Sequence, residues 1–235
     1  MGQTVELPVG DTQMGLYVAE PQGEAKGAIV VLQEAFGVNA HMRDVTDRFA
    51  AEGYLAVAPH LYHRSGDPEL GYEDMTEVIP YIMQLTVNEL EADLEASFAY
   101  LKDRGYDLAR TGVIGYCMGG SVSFLAACYW ELGAAVSYYG GGITQGRFQM
   151  PPLIDLAPTL QTPWIGFFGD QDESIPVDQV EGLREAATRA KVSTEIVRYA
   201  DANHGFNCDA RSSYHESSAK DALERTLAFF GEHLS

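Results

Sequence analysis

Short, unbroken apolar runs alternate along this chain with longer segments whose apolar residues recur every three or four positions. Ala28-Ile29-Val30-Val31-Leu32 is the purest run. With no polar residue among them, these positions predict a strand covered on both faces. In residues 41–52 the side chains of Met42, Val45, Phe49 and Ala50 share one side of a predicted helix, which Gly53 ends. A strand over 54–58 follows, stopped by Pro59. Leu90, Leu94, Phe98 and Leu101 then form the stripe of a helix over 90–101. The pattern continues with a short buried strand at 112–114 and a helix of small apolar residues at 119–129. Further strands are expected at 134–139, 164–168 and 194–199, and amphipathic helices at 177–190 and 218–233. Such alternation predicts an α/β fold, a mainly parallel sheet with helices on both faces, with residues 1–235 forming a single domain. Sheets of this kind present ligands beyond the carboxyl ends of their strands, so residues that do chemistry should follow strands directly. The segments 61–89 and 140–161 lack a clear period and carry Gly, Pro and aromatic residues. They read equally well as the rim of a substrate mouth or as ordinary surface connections.

The sharpest chemical signal is Gly115-Tyr116-Cys117-Met118-Gly119-Gly120, which follows the strand at 112–114 and opens a helix. This is the nucleophile-elbow pattern with Cys in place of Ser. A nucleophile at so tight a turn has a strained backbone, and glycines two positions to either side remove Cβ clashes. The helix N-terminus beside the sulfur favours thiolate, and the N–H of Met118 would face a developing oxyanion. A cysteine nucleophile needs a base, and the base an orienting group. Of six histidines, His204 sits in Asp201-Ala202-Asn203-His204-Gly205-Phe206, directly after the strand at 194–199. Gly169-Asp170-Gln171-Asp172 follows the strand at 164–168, so Asp172 or Asp170 is placed to orient it. Nucleophile, acid, histidine is the chain order of α/β-hydrolases. Glu34 lies at the end of the most apolar strand, where a charge is costly unless paired, and its loop is where the second oxyanion donor would come from. His60 and His63 form an H-x-x-H without a third ligand at useful spacing, a weak metal signal.

Charge narrows the partners. Lys and Arg number 15 against 34 Asp and Glu, a net charge of −19. Such a surface repels phosphate backbones and anionic lipid, so neither nucleic acid nor membrane is an expected partner. No apolar run approaches the ~18 residues of a membrane span, and 1–13 has neither the basic nor the apolar region of a signal peptide. The three cysteines, Cys117, Cys128 and Cys208, show no metal-type spacing, and a cytoplasmic location is the simplest expectation. Cys128 and Cys208 read as packing residues. A dinucleotide site is a poor fit, since the glycines of 115–120 lack G-x-G-x-x-G spacing.

Several blocks together give the chain a family resemblance. Gln-Glu-Ala-Phe-Gly-Val-Asn stands at 33–39, Ala-Pro-His-Leu-Tyr-His-Arg at 58–64, Gly-Tyr-Cys-Met-Gly-Gly at 115–120, Gly-Asp-Gln-Asp at 169–172 and Asn-His-Gly-Phe at 203–206. From about Gly27 to Glu232 the sequence resembles the dienelactone hydrolases (carboxymethylenebutenolidases), a cysteine branch of the α/β-hydrolases. The resemblance implies the α/β-hydrolase fold and cleavage of an enol-lactone that bears a free carboxylate, with no cofactor and no metal. It implies Cys117 as nucleophile, His204 as base, Asp172 as triad acid, and the backbone N–H groups of Ala35 and Met118 as the oxyanion hole. Glu34 matches a carboxylate that holds the resting thiol protonated and helps form thiolate when substrate binds. One departure bears on the substrate. An Arg four residues past the histidine helps grip the substrate carboxylate in the family, and here that position is Cys208. Arg64 and Arg211 are the remaining candidates for the grip, and Phe36 for a substrate contact. A general small-ester carboxylesterase and a non-catalytic small-molecule binder stay open as alternatives. The expected partner is a small ester or lactone, and the expected state a monomer or weak homo-oligomer.

Overall fold

A computed structural model describes residues 2–234. The six strands expected from the sequence are present, and two more precede them. Those are β1 (Gln3–Val9) and β2 (Thr12–Ala19), an antiparallel hairpin turning at Gly10-Asp11. β1 is an edge strand whose outward positions stay in solvent, so it alternates instead of forming an apolar block. The chain continues through β3 (Ala28–Leu32), α1 (Ala40–Ala51), β4 (Leu55–Pro59), α2 (Ile79–Ile82), α3 (Val87–Asp103), β5 (Thr111–Tyr116) and α4 (Met118–Tyr129). It ends with β6 (Ala134–Tyr138), α5 (Leu153–Leu156), β7 (Trp164–Gly169), α6 (Val177–Ala187), β8 (Thr194–Tyr199) and α7 (Glu216–His233). α3 starts earlier than its apolar stripe because Thr86 and Glu89 close a capping box ahead of it.

One sheet holds all eight strands, in the order β1-β2-β4-β3-β5-β6-β7-β8. β1, β2 and β4 pair antiparallel, and β4, β3, β5, β6, β7 and β8 run parallel. Covered on both faces, β3, β5, β6 and β7 are buried throughout. The helices fall into two groups by mutual packing. Phe49 of α1 meets Phe230 of α7 edge-on with ring centroids 6.1 Å apart, while α3, α4, α5 and α6 touch in succession. Two helical layers around one sheet is the arrangement that the alternation implied, and it matches the α/β-hydrolase fold implied by the resemblance. Among the described residues, no helix is long and apolar enough to cross a membrane.

The tightest packing lies between β3, β5 and the start of α4. A Cβ on Gly115 would overlap the Gly119 carbonyl, and one on Gly119 would overlap the carbonyls of Leu32 and Gln33. Gly119 N–H donates to Gln33 O at 3.1 Å across this contact. These backbones can meet only because neither position has a side chain. Gly115→Ala is therefore expected to destabilise the fold by about 3 kcal/mol, the upper end of overpacking costs. The denaturant midpoint measures this; a midpoint equal to wild type would mean that the turn relaxes freely.

Candidate active site

Cys117 occupies the turn between β5 and α4 with φ 54° and ψ −112°, a conformation that L residues rarely adopt. Its N–H donates to Tyr138 O at 3.0 Å, and its carbonyl accepts from Gly120 N–H at 3.1 Å. The side chain is half-buried at the N-terminus of α4, where the helix dipole favours negative charge.

His204 and Asp172 come from the loops after β8 and β7. The His204 Nδ1 and Asp172 Oδ2 are 2.6 Å apart, and the Asp172 side chain is 2% exposed. The other oxygen of Asp172 accepts from Ser174 N–H at 2.9 Å and Ser174 Oγ–H at 2.6 Å. Burial would push the Asp172 carboxyl up, yet the His204 and Ser174 bonds hold it below the ordinary carboxylate range. Burial likewise pulls the His204 ring down. The charge of the Cys117 sulfur and the hydrogen bond that the ring donates to Asp172 outweigh it, and the imidazole is raised to about 10. Tyr139 packs against the same ring, centroids 5.0 Å apart. Asp170, the other candidate acid, instead forks with Arg198 through two contacts of 2.7 Å.

Glu34 is 1% exposed at the end of β3. Its Oε1 accepts from Tyr139 Oη–H at 3.4 Å and stands 3.6 Å from Arg211 Nη1, while its Oε2 finds no hydrogen-bond partner among the described residues. No hydrogen bond among the described residues links Glu34 to Cys117; the carboxylate turns toward the arginine. Arg211 is seated between aromatic faces, its guanidinium carbon 5.7 Å from the centroids of both Phe36 and Tyr72. Gly205 provides the space, since a Cβ there would strike the guanidinium. Phe36 is buried and meets Tyr72 edge-on at 4.5 Å, so it supports Tyr72 and Arg211 from below. His204 and Arg211 open into a cleft of about 490 Å³ lined also by Tyr72, Glu73, Asn203 and Ser213. Cys208 is fully buried behind it, its thiol pushed up to about 11 by burial and by the Glu34 charge.

The two backbone donors sit on loops that the β3–β5 contact brings together. Ala35 and Met118 are each 1% exposed, and among the described residues neither N–H donates to a protein acceptor. The Ala35 carbonyl is engaged, accepting from Tyr62 Oη–H at 3.0 Å.

Arg64, the other candidate for a carboxylate grip, is committed elsewhere. Its Nη1 and Nη2 bind Asp93 at 3.0 and 2.8 Å, and Asp93 is fully buried. A buried carboxylate without its cation is far costlier than a surface one, so this arginine serves the packing of α3. His63 joins the same carboxylate at 3.0 Å, and His60 lies 2.5 Å from Asp67. Among the described residues, no group of His, Cys, Asp or Glu is arranged to hold a metal. Cys128 packs in the core, its thiol pushed up to about 12 by burial. The structure thus brings Cys117, His204, Asp172, Glu34, Phe36, Arg211 and the N–H groups of Ala35 and Met118 to one end of the sheet, and leaves Arg64 outside.

Four contributors were not singled out by sequence. Ser174 had a signal, since an Asp followed two residues later by Ser is a common local turn. Tyr139 directly follows a strand, the position at which functional residues were sought. Tyr62 and Tyr72 lie in the aperiodic segment 61–89, and only the fold sets them beside Ala35 and Arg211.

The model of the dienelactone hydrolase family matches residues 14–234. A Salmonella typhimurium protein assigned as a carboxymethylenebutenolidase is 38% identical over 231 residues, 97% of this chain and 86% of that one. The carboxymethylenebutenolidase of Pseudomonas putida is 31% identical, over 92% of this chain and 89% of its own length. A crystal structure from Klebsiella pneumoniae, assigned as a dienelactone hydrolase, superposes with a TM-score of 0.91 at 37% identity, covering 99% and 98% of the two chains.

Three outcomes follow from these contacts. Arg64→Ala should cost about 3 kcal/mol of stability, because it leaves the buried Asp93 with His63 as its remaining charged partner, and should leave KM within twofold. Denaturant unfolding and steady-state kinetics check this, and a rise in KM at unchanged stability would return Arg64 to the substrate. His204 is raised from 6.5 to about 10, so its contribution to stability is complete below pH 6.5 and is lost as pH climbs through 10. The stability gap between wild type and His204→Gln should narrow over that window. In Cys117→Ala, NMR titration should find the His204 pKa well below 10; an unchanged value would mean that the sulfur is not the cause.

Proposed function

Because the chain belongs to the dienelactone hydrolase family of ester and lactone hydrolases, we propose that it cleaves a small enol-lactone or ester through an acyl-thioester on Cys117. The observation that carries this reading is the Asp172–His204 pair, joined at 2.6 Å and coupled to a cysteine at the elbow of β5 and α4.

Proton transfer from the Cys117 thiol to His204 gives the thiolate–imidazolium pair that the raised imidazole favours, and the thiolate attacks the carbonyl carbon. Carbonyl π electrons move onto oxygen, where the unengaged N–H groups of Ala35 and Met118 donate to the oxyanion. Collapse breaks the C–O bond, and the leaving oxygen takes the proton from His204. In a lactone this oxygen stays on the acyl chain, so ring opening releases nothing. Water then attacks the thioester with His204 as base, and the C–S bond breaks to give the carboxylic acid and the free thiol. Asp172 keeps the imidazole in one tautomer and stabilises its charged form. Glu34, buried with one oxygen unpartnered, is suited to a shift between Arg211 and the thiol when substrate arrives.

Substrate charge separates two readings. A carboxylated lactone is repelled by a net charge of −19, so a local cation must bind it, and Arg211 is the cation in the cleft. The second reading, a neutral-ester carboxylesterase, is favoured by the pairing of Arg211 with Glu34 at 3.6 Å, which already compensates its charge.

Mass spectrometry during turnover of a slow ester is expected to find the acyl adduct on the Cys117 peptide, and Cys117→Ala should be inactive; an adduct on Ser121 or Ser123 would overturn the mechanism. Arg211→Ala should raise KM for a carboxylated lactone about tenfold, ~1.4 kcal/mol, and leave a neutral ester unaffected. Equal effects on both substrates would favour the carboxylesterase.

A further inference from the structure

The two oxyanion donors belong to different loops, so their separation must be fixed by something that spans both. Pairing between β3 and β5 ends at Leu32 and Gly115, short of Ala35 and Met118. Beyond that point Gly119 N–H to Gln33 O ties the backbones at 3.1 Å. The second tie is a side chain from a third loop. Tyr62, 1% exposed after β4, directs its hydroxyl to Ala35 O at 3.0 Å and to Met118 Sδ at 3.4 Å. Among the described residues it is the side chain that bonds both donor-bearing residues.

We propose that Tyr62 is a positioning residue for the oxyanion hole, its hydroxyl bridging Ala35 and Met118 so that their N–H groups converge on one point. This rests on the acyl-thioester reading above. Burial, with the charge of the Cys117 sulfur adding to it, holds the phenol well above its ordinary range, so the group stays a donor throughout the working pH range. One proton serves two acceptors, which makes the bond three-centred, with Ala35 the nearer partner. The loop has independent support. Leu61 N–H donates to Gln33 Oε1 at 3.1 Å, and the Tyr62 ring packs on Tyr81 with centroids 5.6 Å apart. Loss of the hydroxyl alone should therefore leave the fold intact and free the Ala35 loop to move. Removing an oxyanion donor outright costs about 10²–10³ in kcat, and misaligning one costs less.

Tyr62→Phe tests this with three readouts: kcat and KM on a neutral ester, the rate at which iodoacetamide alkylates Cys117, and affinity for a trifluoromethyl ketone that forms a tetrahedral adduct on the sulfur. Alkylation creates no oxyanion, and the ketone adduct does. The expected result is a kcat lower by about tenfold, KM within twofold, ketone affinity reduced by a similar factor to kcat, and an alkylation rate within twofold of wild type. Unchanged kcat overturns the proposal, as does an alkylation rate that falls in step with kcat, because Tyr62 would then act on the thiol. Should Tyr62→Phe fail to fold, Tyr81→Ala loosens the same ring and should give about a threefold loss with the same signature; no loss overturns the proposal. Wild-type enzyme that keeps its turnover after Cys117 is alkylated overturns the acyl-thioester reading itself and takes this proposal with it, a failure visible before any Tyr62 variant is made.

Discussion

A cysteine held at φ 54° cannot hold itself there. The conformation is strained, and it persists because the surroundings leave the backbone nowhere else to go. Gly115 and Gly119 let β5, the start of α4 and the end of β3 approach until their backbones touch. The rest of the site inherits its geometry from that approach. It sets the sulfur at a helix N-terminus, brings the Ala35 loop beside Met118, and leaves two backbone donors without protein acceptors. The strain is local and the restraint is distributed over three elements, so a single side-chain change away from the glycines should not release it.

Electrostatics form a second layer on that frame. The chain is strongly acidic, yet at the carboxyl end of its sheet buried charges are paired in a definite way. Asp172 is satisfied by Ser174 and His204, and so is fixed as an orienting group. Glu34 and Arg211 are only loosely paired at 3.6 Å, each with a polar atom that has no partner among the described residues. A pair in which both members keep unused hydrogen-bonding capacity in a low-dielectric cleft is poised to accept a polar ligand. The contrast with Arg64, whose fork on Asp93 uses both terminal nitrogens, separates a fully engaged arginine from one with hydrogen-bonding capacity to spare.

Much of this was legible in the linear pattern. Apolar runs mark β3 to β7 because strands buried on both faces need no polar positions, whereas β8, with Thr194, Glu195 and Arg198, is only partly buried. β1 escapes that test, since Val5 and Leu7 alternate with exposed residues at an edge, while β2, buried from Met14 to Ala19, carries a largely apolar run of the same kind. The elbow was legible because tight backbone contact demands glycine at fixed spacing, and His204 and Asp172 because each directly follows a strand. Boundaries set by hydrogen-bonded caps, such as the Thr86 capping box of α3, are invisible to hydrophobic periodicity.

Local chemistry therefore narrowed the candidates to Cys117 as nucleophile, His204 as base and Asp172 or Asp170 as acid, since strand, turn and glycine spacing are short-range constraints. It could not choose between Arg64 and Arg211, because that choice depends on which carboxylates lie nearby in space. Asp93 reaches Arg64 from α3, and Glu34 reaches Arg211 from the end of β3. Nor could it assign Tyr62 a partner, because a hydroxyl in an aperiodic loop meets Ala35 and Met118 only once three strands have aligned their carboxyl ends. Those contacts are long-range, and packing of the whole sheet fixes them.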